Sequence, residues 1–203
     1  MNPAPPPRPV GRPRSTEADD AIRTAAIEVF AENGYDGMHV EAVAERAGVA
    51  KSTLYRRFPN KEDLVQHALS SASDEVACPH TDALEADLVA MLRHLRDKFA
   101  SAPMGRAVPE LVAAAARHEG LRRIHRRFIA ERRSSGITRL RSAVDSGELA
   151  GSADAEMMMD QLTGVVFQRS FISGGDLSDS VLDRLVRSVL AGHRDIPRGS
   201  RSP

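Results

Sequence analysis

Residues 44–58 read AERAGVAKSTLYRRF, and the order of small, flexible and aliphatic positions in this stretch leaves few folds open. Ala44 stands four residues before Gly48, and Leu54 follows six later. Two short helices that cross tightly need a small residue at the crossing, a glycine that tolerates positive φ in the turn, and a buried aliphatic on the second helix. The stretch supplies all three, which predicts helices over about 40–47 and 51–58 joined as a helix-turn-helix. With Leu54 and Phe58 turned inward as an i, i+4 pair, the outer face of the second helix presents Lys51, Ser52, Thr53, Tyr55, Arg56 and Arg57.

Charge sharpens this reading. From Arg46 to Lys61 there are five Lys or Arg and no Asp or Glu, yet the whole chain balances 28 basic residues against 28 acidic ones. A coat of positive charge is thus excluded, and a local basic face is what remains. Hydroxyls and cations without a carboxylate suit the major groove of DNA, where donors must reach base edges and phosphates. The rival reading is a helical scaffold that uses the same segment for protein or membrane-surface contact. A salt-sensitive gel shift with a palindromic duplex separates the two.

Helical periodicity runs through the rest of the chain. Residues 1–14 hold six prolines and three arginines and no acid, so an extended arm is expected there. Residues 15–69 hold the first four helices: Ile22, Ala26, Val29 and Phe30 share one face of the first, Gly34 ends it, and Asn60 caps the fourth. Longer patterns over 84–99, 103–118, 121–144, 154–172 and 178–191 fill residues 70–192, and 193–203 form a disordered tail. No alternating β-branched run appears, so the expected fold is all-α. Hydrophobic residues make up 41% of the chain with six Phe, two Tyr and no Trp, which calls for an aliphatic, Ala-rich core. The lone Cys78 excludes an internal disulfide, and no apolar run approaches the roughly 18 residues that span a bilayer. A soluble cytoplasmic protein without a membrane anchor is the expectation.

The segment GYDGMHVEAVAERAGVAKSTLYRRFPNKEDL closely resembles the DNA-binding domain of the TetR family of transcriptional repressors, above all in its GV-x-x-x-TLY-x-x-F-x-NK-x-x-L frame. The resemblance covers residues 15–69. It implies a homodimer whose two recognition helices enter successive major grooves of a near-palindromic double-stranded operator. It also implies a C-terminal domain that binds a small-molecule inducer. On the matching positions, Lys51, Ser52, Thr53, Tyr55 and Arg57 would face DNA and Lys61 would hold a phosphate. The arm residues Arg8, Arg12 and Arg14 would reach the backbone or minor groove. His39 and Ala50 stand where the family usually has a capping hydroxyl, a loss of about 1 kcal/mol each. His39 can still donate to a phosphate.

In the second half, Met91, Leu95 and Phe99 share one helix face, and Met104, Val108, Leu111 and Val112 share part of the next. Ordinary core is the simpler account of these positions. The resemblance points instead to a pocket completed by Phe128, Leu162, Val166 and Phe167, for a modest aliphatic ligand. Pro109 removes the N–H that would bond the Gly105 carbonyl, so a kink is expected there. The basic run RRIHRRF suits a solvated face, or an arginine such as Arg122 or Arg126 pairing with an anionic ligand. The face of Met158, Leu162, Val165 and Arg169, with Leu182, Leu185, Val186 and Val189 of the last helix, reads as a dimer four-helix bundle. Cys78, His80, His118 and His125 lack metal-ligand spacing, and no nucleophile, phosphate-loop or dinucleotide signature occurs. Neither a metal, a cofactor nor an enzymatic activity is expected.

Overall fold

The computed structural model describes residues 14–70 and 77–194. The arm up to Pro13, with Arg8 and Arg12, and the tail from Asp195 lie outside the described residues, as does the side chain of Arg14. Among the described residues there are helices and no strands.

The N-terminal head is α1 (Arg14–Gly37), α2 (Val40–Arg46), α3 (Lys51–Arg57) and α4 (Lys61–Ser70). Helical φ/ψ in α1 break at Gly34, whose φ of 65° a side chain would resist. A Cβ there would also stand 3.0 Å from the Glu110 carboxylate. Ile22, Ala26, Val29 and Phe30 are all buried, as their spacing predicts. Asn60 caps α4 by accepting from the Asp63 N–H at 2.8 Å. The turn between α2 and α3 passes through Gly48 at φ 65°, with Ala44 and Leu54 fully buried at the crossing.

The remainder is α5 (Leu84–Ala100), α6 (Met104–Arg117), α7 (Glu119–Asp145), α8 (Ala155–Gln168) continuing into one π-turn (Arg169–Ser173), and α9 (Asp179–Ala191). α6 carries Pro109 inside it as one continuous helix.

Two apolar cores result, and they do not divide the chain at residue 70. The first joins α1–α4 to Ala107, Leu111 and Ala114 of α6 and to Leu121 and Phe128 of α7. The second joins α5 to the C-terminal half of α7, to α8 and to α9. α6 rests on α1, and α7 runs through both cores. The head is therefore seated on α6 and α7 rather than attached by a linker alone.

Candidate nucleic-acid interface and ligand cavity

Local sequence sets the outer face of α3. Leu54 is fully buried and Phe58 nearly so, which turns Lys51, Ser52, Tyr55, Arg56 and Arg57 outward, with Thr53 half-buried between them. His39 precedes α2, exposed and making no capping bond, and Ala50 precedes α3 likewise. Both helices thus begin without a side-chain cap.

Several of these groups already have partners. The Tyr55 hydroxyl, on a ring 48% exposed, donates to Glu41 Oε1 at 2.7 Å. That bond holds the Glu41 carboxyl below its ordinary range and raises the Tyr55 phenol. The acid-free stretch 46–61 is thus met in space by a carboxylate from α2, which the linear sequence hides. Arg57 pairs with Asp19 of α1. Lys61 donates to the carbonyls of Tyr35 (2.7 Å) and Met38 (3.1 Å), and its ammonium lies 4.5 Å from the Tyr35 ring centroid. Two of its three donors thus clamp α4 to the chain at and just after the end of α1.

At the seam between the two cores lies a cavity of about 410 Å³, walled by α5, α6, α7 and α8. Met91, Leu95, Phe99, Met104, Val108, Leu111, Val112, Phe128 and Phe167 all line it. Leu162 and Val166 do not. Both are fully buried in the second core, because α8 has two apolar faces and theirs points away from the cavity. The face that does reach it carries Met159, Asp160, Thr163 and Gly164.

Polar groups also line this cavity. Lys98, His125, Arg132 and Arg133 line it, with Asp160 as the carboxylate among the lining residues. Arg133 pairs with Asp160 at 2.6 Å, and its Nε is buried without a hydrogen-bond partner. Arg132 lies with its guanidinium carbon 3.5 Å from the Phe128 ring centroid, and burial lowers it to about 10. Desolvation also lowers His125, which favours its neutral form. Arg122 and Arg126, named above as candidate anion partners, stand elsewhere. Arg122 bonds Glu119 and the Ala115 carbonyl, and Arg126 is exposed. The signal that could have found Arg132 is its position four residues after Phe128, on the same face of α7.

Known proteins share this arrangement. Residues 22–68 match the description "Bacterial regulatory proteins, tetR family", and residues 78–189 match "Tetracyclin repressor-like, C-terminal domain". The HTH-type transcriptional regulator YdeS of Bacillus subtilis is 33% identical over 184 residues, 90% of this chain and 92% of that protein. The DNA-binding transcriptional repressor TetR of Mycobacteroides abscessus is 33% identical over 175 residues, 84% of this chain and 90% of that one. The chain belongs to the TetR family. The crystal structure of the TetR family transcription regulator SCO0332 superposes with a TM-score of 0.69 at 31% identity, covering 87% of this chain and 98% of that one. TetR family members are ligand-responsive DNA-binding transcriptional regulators, and this chain has the two parts that activity needs.

The expected dimer face needs correction. Met158, Leu162, Leu182 and Val186 are fully buried, and Val189 nearly so, within the chain's own second core. α8 and α9 pack against each other and α5 through those residues, so they cannot meet a partner. Val165, Arg169 and Leu185 stay partly accessible. Beside them α8 exposes Met157, Gln161 and Gly164, and nothing stands within 4 Å of where a Gly164 Cβ would be. Among the described residues no helix is long and apolar enough to cross a membrane, and no cluster of metal-ligating side chains occurs.

Proposed function

We propose that this TetR family member is a homodimeric repressor whose two copies of α3 read successive major grooves of a near-palindromic operator. A small molecule in the seam cavity releases it. One observation carries the reading: the helices that wall the cavity, α6 and α7, also supply the floor of the core on which the head sits. A ligand that spreads α6 from α5 or α8 must therefore move α1 and α4, and with them α3. Two linked heads have to match grooves about 34 Å apart or a multiple of it, so a ligand that favours another separation weakens DNA by its differential affinity.

The outer face of α8, from Met157 through Gln161, Gly164 and Val165, is the contact offered to the second copy, with Leu185 of α9 beside it. Lys51, Ser52, Thr53, Tyr55 and Arg57 face DNA, His39 and Lys61 hold phosphates, Arg12 adds a contact from the arm, and Arg14 adds one from the first residue of α1. The test is a gel shift with a duplex selected by the protein from a random pool. Tyr55→Ala and Thr53→Ala are expected to lose specific binding while the urea midpoint stays unchanged. Specific binding retained by both variants would overturn the placement of α3, and sedimentation as a monomer at micromolar concentration would overturn the dimer.

A further inference from the structure

We propose that the seam cavity takes an amphipathic organic acid, an aliphatic chain ending in one carboxylate, and that Arg132 reports it by exchanging the Leu69 carbonyl for that carboxylate. The proposal rests on the reading of this cavity as the effector site.

The chemistry of the lining selects the class. Met91, Leu95, Phe99, Met104, Val108 and Leu111 give the cavity an apolar length. At roughly 30 Å³ per methylene-sized group, the volume of a water in the liquid, 410 Å³ holds on the order of a dozen such groups. The charge on the lining is unbalanced. Asp160 is its one carboxylate among the described residues, and Arg133 already pairs with it at 2.6 Å. Among the described residues Arg132 has no carboxylate in contact: its Nη2 donates to the Leu69 carbonyl at 3.3 Å, and its face covers the Phe128 ring. The buried Nε of Arg133 adds a donor with no acceptor.

A desolvated guanidinium that lacks an anion is costly, and a carboxylate is the acceptor that its planar fork fits best. A neutral ligand would leave that charge uncompensated, and a cationic one would be repelled. A phosphomonoester would bring about two charges to one unpaired guanidinium, which favours a carboxylate.

The present partner of Arg132 gives the ligand a consequence. The carbonyl of Leu69, in the last described turn of α4, accepts from the Arg132 guanidinium. Arg132, from the middle of α7, thereby ties α7 to α4. The bond is long for an N–H···O contact, and a carboxylate forms a shorter, charge-assisted one. An acid in the cavity thus draws Arg132 off α4 and removes a tie between α7 and the helix that follows α3. By linkage, DNA that holds α4 in place must weaken the acid in return.

The experiment uses the full chain with decanoate, 1-decanol and decylamine, each below its aggregation limit, by titration calorimetry at pH 7.5. Decanoate is expected to bind roughly tenfold to a hundredfold more tightly than decanol, the range for one charge-assisted bond. Decylamine should bind most weakly. In Arg132→Gln the decanoate-to-decanol ratio should collapse toward one, and Arg132→Lys should restore part of it. The ratio is the readout, because a purely structural loss of the α4 tie would shift both affinities together. On a duplex selected from a random pool, decanoate should release the wild type, while decanol at equal occupancy should not. Equal binding of decanoate and decanol, no binding of decanoate, or a ratio unchanged in Arg132→Gln would each overturn the proposal. Failure of the underlying reading shows differently: the wild type would then enrich no duplex at all.

Discussion

The core beneath the recognition helix and the core between α5 and α9 are filled with the same aliphatic residues, but polar contacts close them differently. At the rim of the first, the Tyr35 and His118 rings meet tilted at 58° with centroids 4.8 Å apart, and Asp36 takes His118 at 2.9 Å and Arg117 at 3.2 Å. Asp36 and Arg117 are exposed, while Tyr35 is buried beneath them. Burial alone would raise the Asp36 carboxyl, but Arg117 and His118 outweigh it and hold it below the ordinary range. The second core encloses an ion pair instead. Arg139 Nε meets Asp87 at 2.7 Å, both side chains are almost wholly buried, and Thr81 donates to Asp87 twice. Exposed pairs shift at little cost, whereas a buried pair holds one geometry. On this contrast the head sits on the more yielding contacts, and the distal helices form the more fixed frame.

The largest expected effect comes from cutting between these regions. A chain of residues 1–70 loses Ala107, Leu111, Ala114, Leu121 and Phe128 from the floor of its own core. Such a fragment should show no cooperative urea transition by circular dichroism, although it contains the whole helix-turn-helix. A sharp transition in the fragment would mean that the head is a separate folding unit and that the shared core is incidental.

Next is Asp87→Ala, which strands the Arg139 guanidinium in the frame. Breaking a buried pair from one side costs about 3–5 kcal/mol, measured here as a lower urea midpoint of the full chain. The matching change in the rim, Asp36→Asn, should move the same midpoint far less. Equal effects would erase the distinction between fixed frame and yielding rim.

A smaller loss is expected from Lys61→Ala. The carbonyls of Tyr35 and Met38 lose their donor, a cost of about 1–3 kcal/mol. If the third N–H also holds a phosphate, the dependence of DNA affinity on salt should fall by about one unit of slope. A changed slope with unchanged stability would assign Lys61 to DNA alone.

How much of this was legible depended on how local the constraint is. Ala44, Gly48 and Leu54 act within eleven residues, so their spacing alone gave the helix-turn-helix and the outward face of α3. The apolar face of α5 with Met91, Leu95 and Phe99 was legible from periodicity, but that it lines a cavity rather than ordinary core was implied only by the family resemblance. The cavity reading failed on α8, where periodicity marks Leu162 and Val166 as apolar but cannot say which neighbour they meet. The dimer face failed for the same reason, since α8 and α9 use those residues on each other. The Tyr55–Glu41 bond and the Arg132 tie to α4 join positions far apart in the chain, which no local pattern encodes.

The smallest effect is a test of the head under mild acid. His67, in the last turn of α4, lies 4.9 Å from the Phe58 ring, where α3 ends. Burial first, then repulsion from Arg57 and Arg23, lowers its affinity for a proton. A histidine whose folded pKa lies below its unfolded value adds stability that is complete above about 6.5 and is lost as the pH falls through the folded value. The urea midpoint should therefore decline from pH 7 to pH 5, and His67→Gln should flatten that slope while leaving the Asp87→Ala penalty unchanged at pH 7. His125, lowered by burial alone, stands at the cavity on α7 and belongs to the same pH window. A slope that survives His67→Gln intact would move the proton linkage from the seat of α3 to the wall of the cavity, and the rim would no longer be the softer of the two regions in acid.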